Sequence, residues 1–170
     1  MSTPPSKKQK TTDAPPFLGP NLALGGVSVG DTASYTRLIT EDHVIKYSEI
    51  TGDINPLHFN KIYAESTIFK SLITHGGIQA GILNALVAQE LPGPGSVFME
   101  QNLKYKKPVK VGDVLTAHGK VINVHKFKPI CNLEVEVTAK RGEEVIVVLT
   151  GDVAVFRATP IGEDKKEEEK

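Results

Sequence analysis

The segment Gly52-Asp53-Ile54-Asn55-Pro56-Leu57-His58 carries a carboxylate and an imidazole on one short loop. Two such groups can share a single water, one taking a proton from it while the other returns a proton to the molecule under attack. The spacing is that of a loop and not of one helix face. A rigid loop can nevertheless aim both groups at one point, and Pro56 lowers the entropy of holding that aim. Asn55 is placed to brace the loop or the carboxylate through its amide. A second segment, Ile73-Thr74-His75-Gly76-Gly77, opens an apolar stretch. A helix starting there has first amides without internal partners at the positive end of its dipole. N–H groups near Gly76 and Gly77 then suit an oxygen that gathers negative charge, and glycine lets a substrate approach that backbone closely. A plainer reading stands beside this one. Gly, Asp, Asn and Pro all favour turns, and His75 reads as a helix-entry residue that packs and hydrogen-bonds.

Positioning these groups takes one helix before the loop and another after it. Thr40 followed by Glu41-Asp42 reads as an N-cap with acids in the first turn. That helix continues through Tyr47 and Ser48 and stops at Gly52. Pro56 cannot continue a helix and pushes Asn55 towards an extended conformation. A short helix is expected around Asn60–Glu65. The strongest helix is expected from Gly77 to about Leu91. Ile78, Ile82, Leu83, Leu86 and Val87 recur at helical spacing, and Ala80, Gly81, Ala85 and Ala88 fill the rest with small side chains. A helix apolar nearly all round belongs inside something. Gln79 is polar within it and reads as facing a substrate pocket, while Asn84 reads as bonding at a subunit interface or to solvent. The run Leu91-Pro92-Gly93-Pro94-Gly95 ends the helix. Strands are expected near 29–38, 96–107, 113–125, 130–140 and 144–157. Leu133-Glu134-Val135-Glu136-Val137 alternates strictly, with one apolar face. Turns are expected at Lys110–Asp113 and Arg141–Glu143. The order implies an α+β domain, an antiparallel sheet packed on one central helix.

The bulk composition narrows the function classes. The chain has 170 residues, enough for one domain. Residues 24–159 read as that domain, residues 1–23 as a disordered tail rich in Pro, Ser, Thr and Lys, and residues 160–170 as a charged tail. Lys plus Arg and Asp plus Glu are both 20, so the formal net charge is zero, which gives no support for a nucleic-acid or membrane-surface partner. No apolar run approaches a membrane span, and a cytoplasmic location is the default expectation. The single cysteine, Cys131, reads as a buried inert thiol. His43, His118 and His125 show no metal-ligand spacing, and no metal or other cofactor is expected. Lys104, Lys106, Lys107 and Lys110 cluster after the long helix. They read either as contacts to substrate phosphates or as a solvated strand edge guarded against aggregation.

The string from Tyr47 through Gly52-Asp53-Ile54-Asn55-Pro56-Leu57-His58 to Ala64 resembles the signature of (R)-specific, or type-2, enoyl-CoA hydratases of the MaoC-like family. Ile73-Thr74-His75-Gly76 is similar to the family's helix start. Tyr105-Lys106-Lys107-Pro108-Val109 with Val111-Gly112-Asp113 is similar to its following strand and turn. The resemblance spans roughly residues 29–157. It implies a hotdog fold, a homodimer with sites near the interface, and a hydro-lyase that adds water to trans-2-enoyl thioesters. Asp53 and His58 are then the acid/base pair, with His58 the favoured base, and Gly76 supplies an oxyanion N–H. Coenzyme A or a carrier protein enters only as part of the substrate. The chain departs from the family at Gly77 and Gln79, where a bulky apolar residue often follows His-Gly, which puts the acyl-chain preference in question. A thioesterase on the same fold typically uses a carboxylate on the central helix, and no acid lies between Gly77 and Gln89. A biosynthetic dehydratase or cyclase and a non-catalytic acyl-thioester binding domain remain as alternatives.

Overall fold

The structure is a computed structural model that describes residues 26–158. The expected tails at 1–23 and 160–170 lie outside the described residues. Strand β1 (Thr32–Leu38) leads into helix α1 (Glu41–Thr51), two short helices α2 (Pro56–Phe59) and α3 (Lys61–Ser66), and the central helix α4 (Gly76–Ala85). Strands β2 (Ser96–Tyr105), β3 (Val114–Val124), β4 (Ile130–Arg141) and β5 (Glu144–Arg157) follow. The sheet order is β1-β3-β4-β5-β2, and every neighbouring pair is antiparallel.

The period-2 pattern in β4 does what alternation requires. Leu133, Val135 and Val137 are buried against the helix while Glu134 is exposed. Leu83, Leu86 and Val87 meet that face from the helix side. The approach is close at Gly119 of β3, where an added Cβ would come within 3.1 Å of Leu86 Cδ2 and 3.3 Å of Leu133 Cδ2. The sheet thus wraps one helix, the hotdog arrangement that the sequence leads one to expect.

Three local details differ from the sequence reading. The central helix does not run as one α-helix to Leu91, because Leu86–Glu90 widens into π-turns, closed by the Leu91 N–H on Leu86 O at 3.0 Å. Such widening alters the residue phase on the helix, which periodicity counts do not register. Pro56 does not simply break helical structure; it begins α2 at N1, where its missing N–H costs nothing. The first strand begins at Thr32, three residues later than expected. Elsewhere the turns form as expected. Gly142 takes φ 61° in the two-residue link between β4 and β5, and Asp113 N–H closes the other turn on Lys110 O at 3.2 Å. Asp113 is buried and accepts from Arg141 Nε at 2.8 Å and Nη2 at 2.6 Å, clamping this turn to the end of β4. No helix among the described residues is long and apolar enough to cross a membrane.

Candidate active site

Helix α1 is capped at Thr40 and ends at Gly52, whose left-handed φ of 75° turns the chain sharply out of the helix. Asp53 follows directly. Its Oδ1 accepts the Asn55 N–H at 3.1 Å, so the backbone holds the carboxylate. Asn55 does two jobs. Its side chain accepts the Leu57 N–H at 3.1 Å and caps α2, which carries His58 in its single turn. The Asn-Pro pair therefore fixes a tight loop whose two ends present the two functional side chains.

His58 Nδ1 lies 2.8 Å from the Ile73 carbonyl, which can only accept. Nδ1 therefore carries a proton directed at Ile73, which leaves Nε2 as the ring nitrogen that faces Asp53. That Nε2 lies 3.8 Å from Asp53 Oδ2, with the His58 side chain 8% and the Asp53 side chain 49% exposed. A water about 2.8 Å from each atom reaches both across this gap.

His75 lies behind the pair. It is the N-cap residue of α4 and is buried. Its Nε2 is 3.0 Å from the Asp53 backbone carbonyl and 3.1 Å from Ser48 Oγ, whose own proton reaches the Val44 carbonyl at 3.1 Å. The carbonyl requires Nε2 to carry the hydrogen. The imidazole of His75 thus ties the Asp53 loop to the end of α1 and the start of α4. Its ring packs against that of His58 with centroids 3.8 Å apart and against that of Tyr47 at 4.9 Å. Asp53, His58 and His75 each offer one ligand atom, all within 4.8 Å of one another. The His75 Nε2–H is already donated to the Asp53 carbonyl, while the buried Nδ1 of the same ring has no partner among the described residues.

Gly76 and Gly77 open α4, and no acceptor among the described residues engages either N–H. The Tyr105 ring flanks Gly76, and a Cβ added there would stand 3.4 Å from it. Gln79 is buried, its Nε2 reaching the Lys107 carbonyl at 3.5 Å while its Oε1 has no donor among the described residues. It therefore faces the chain after β2 from inside. Asn84, Lys104 and Lys106 are exposed, the lysines on or just after the outer strand β2. They stand apart from the Asp53–His58–His75 group in hydrogen bonding. Cys131 is buried as expected, and burial raises its thiol above the ordinary value despite the opposing charge of Arg157.

A groove of about 500 Å³ has the His58 ring in its wall, with Val44, Phe59, Leu72, Val111 and Lys110 around it. A larger hollow of about 630 Å³ lies on the sheet across β1, β3, β4 and β5 and touches none of the three site residues. Of the three site residues the groove takes in His58, and neither Asp53 nor His75 lines it. Two partners escaped the sequence reading. Ile73 acts through its backbone carbonyl, which leaves no mark in sequence, and Ser48 reads simply as one more residue of α1.

Residues 29–143 match the MaoC like domain family model. The (R)-specific enoyl-CoA hydratase of Aeromonas caviae is 33% identical over 134 residues, covering 79% of this chain and 98% of that protein. The protein of the same name from Rhodospirillum rubrum is 40% identical over 91 residues, covering 54% of this chain and 63% of that protein. The solved (R)-hydratase of A. caviae superposes with a TM-score of 0.72 at 31% identity, covering 78% of this chain and 98% of that one. The (R)-hydratase of Pseudomonas aeruginosa gives 0.73 at 30% identity, covering 82% and 88%. With residues 29–143 matching that family model and a hydratase 33% identical over 79% of this chain, the chain belongs to the MaoC-like family of hydratases and dehydratases.

Proposed function

We propose that this protein reversibly hydrates trans-2-enoyl thioesters to (R)-3-hydroxyacyl thioesters, with Asp53 and His58 as the acid/base pair. The observation that carries this reading is the 3.8 Å gap between His58 Nε2 and Asp53 Oδ2, with the His58 Nδ1 proton tied to Ile73. In the hydration direction a water in that gap gives a proton to His58 Nε2 as its oxygen attacks the β-carbon. The π electrons move towards the carbonyl, and the negative charge collects on the thioester oxygen. The free N–H groups of Gly76 and Gly77 receive it at the positive end of α4. A proton from the Asp53–His58 pair then reaches the α-carbon, which completes the addition of one water. Either member of the pair, 3.8 Å apart, can deliver that proton.

The substrate class and the (R) outcome rest on the similarity to proteins of that name. Coenzyme A or a carrier protein forms part of the substrate, and Lys110 in the wall of the groove, with Lys104 and Lys106 nearby in sequence, offers cations for its phosphates. Gln79 is assigned to shaping the acyl site from behind. The proposal includes a homodimer. Among the described residues strand β2 pairs only with β5 and leaves an open edge with Val97 and Met99 exposed.

Incubation with crotonyl-CoA tests the activity. Loss of the enoyl-thioester absorbance with formation of (R)-3-hydroxybutyryl-CoA is expected. Release of free coenzyme A instead identifies a thioesterase, and binding with neither reaction identifies an acyl-thioester binding domain. Light scattering on the same sample reads the dimer.

A further inference from the structure

The two glycines that open α4 do not have equal surroundings. A Cβ built on Gly77 would overlap the Tyr47 hydroxyl oxygen and crowd the ring carbon that bears it. The phenol of Tyr47 therefore occupies the space in which any side chain at position 77 would start. On a helix the Cα–Cβ bond leans towards the N-terminus, the direction in which the N–H groups also point. The Tyr47 oxygen consequently sits on the amide side of the first turn, within about 4 Å of the Gly77 nitrogen, since Cβ and N hang from the same Cα. Tyr47 itself is half-buried and its ring is fixed against His75 at 4.9 Å. No described residue makes a hydrogen bond to its hydroxyl, and that oxygen is not among the buried unpartnered atoms, so it is open to a bound molecule.

From this we infer that the Tyr47 hydroxyl is a third donor at the oxyanion site. It acts beside the Gly76 and Gly77 amides, and Gly77 is bare in order to admit it. The inference rests on the hydratase reading above and adds a catalytic residue to it. In the reaction the phenol O–H donates a hydrogen bond to the thioester oxygen as charge builds there; no proton is transferred and no bond breaks. A donor held rigidly by ring packing strengthens with the developing charge, so its removal acts on kcat more than on KM.

The test is Tyr47→Phe, which keeps the ring against His75 and removes one oxygen. Hydration of crotonyl-CoA and dehydration of (R)-3-hydroxybutyryl-CoA are measured for wild type and variant, with thermal melts as a fold control. Removing an oxyanion donor slows enzymes by about 100- to 1000-fold, and with two amides remaining a loss of roughly 10- to 100-fold in kcat is expected, equal in both directions. KM should stay within about threefold. In an Asp53→Asn background, which holds substrate without turnover, the thioester carbonyl stretch of bound crotonyl-CoA should move to higher frequency when Tyr47 becomes Phe, because a donor has been lost. If the wild type is active and Tyr47→Phe retains kcat within twofold, or the carbonyl stretch does not move, the third-donor role is overturned while the hydratase reading stands. A wild type that hydrates nothing overturns both.

Discussion

Replacing Asp53 by Asn isolates the role of one oxygen. The amide keeps an acceptor for the Asn55 N–H now bound at 3.1 Å, so the loop retains its brace. The other oxygen, 3.8 Å from His58 Nε2, becomes an NH2 group. This change has two consequences. The carboxylate can no longer accept or return a proton, and the new N–H can occupy the lone pair that His58 would use as a base. If Asp53 only held a water, the loss would be that of one charged hydrogen bond, about 1.5–3 kcal/mol, or roughly 10- to 150-fold in rate. If it takes part in proton transfer, the general acid–base factor of about 100- to 10,000-fold is removed, and blocking of His58 pushes the result towards the upper end. We therefore expect kcat/KM for crotonyl-CoA to fall by at least about 1000-fold. Asp53 is half exposed and its loop bond survives, so the melting temperature should move by no more than about 4 °C. The assay is initial-rate loss of enoyl absorbance, with circular dichroism melts on the same preparations. A variant within tenfold of wild type, equally folded, refutes the assignment of Asp53 to the reacting pair.

Three further outcomes follow from the structure. His58→Ala should lose activity as severely as Asp53→Asn, and the double variant should be scarcely worse than either, because groups acting on one water do not add; additive losses in the kinetic cycle would show that they act separately. Asp113→Ala leaves Arg141 and the Lys110 N–H without their acceptor, so urea unfolding should show a loss of about 2–3 kcal/mol, moderated because the Arg141 side chain is partly exposed and can rehydrate. Cys131 should resist alkylation in the folded protein and react at once in denaturant. Its thiol is raised above 9.0 chiefly by burial, so the folded state favours the protonated form. That contribution to stability is present below pH 9.0 and is lost as pH rises past it, which a pH series of unfolding curves reads directly.

Sequence by itself determined the elements and the chemistry-bearing loop. The alternation in β4, the small and apolar pattern from Ile78 to Val87, and the caps at Thr40 and Gly52 are local properties, and local pattern dictates local structure. Asp53, Asn55 and His58 were legible for the same reason, since they lie on one loop whose Asn-Pro turn is written in consecutive residues. Tertiary structure alone decided what those groups do for one another. Ile73 sets the tautomer of His58 through a backbone carbonyl 15 residues away, His75 bridges Ser48 and the Asp53 carbonyl from 27 and 22 residues away, and Tyr47 fills the space left by Gly77. The π-turns at Leu86–Glu90, which lie against β1, β2 and β3, belong with them, since periodicity does not register them. The division has a physical cause. Hydrogen bonds and ring contacts need atoms within a few ångströms in space, and between α1 and α4 only the folded sheet and helix bring them there.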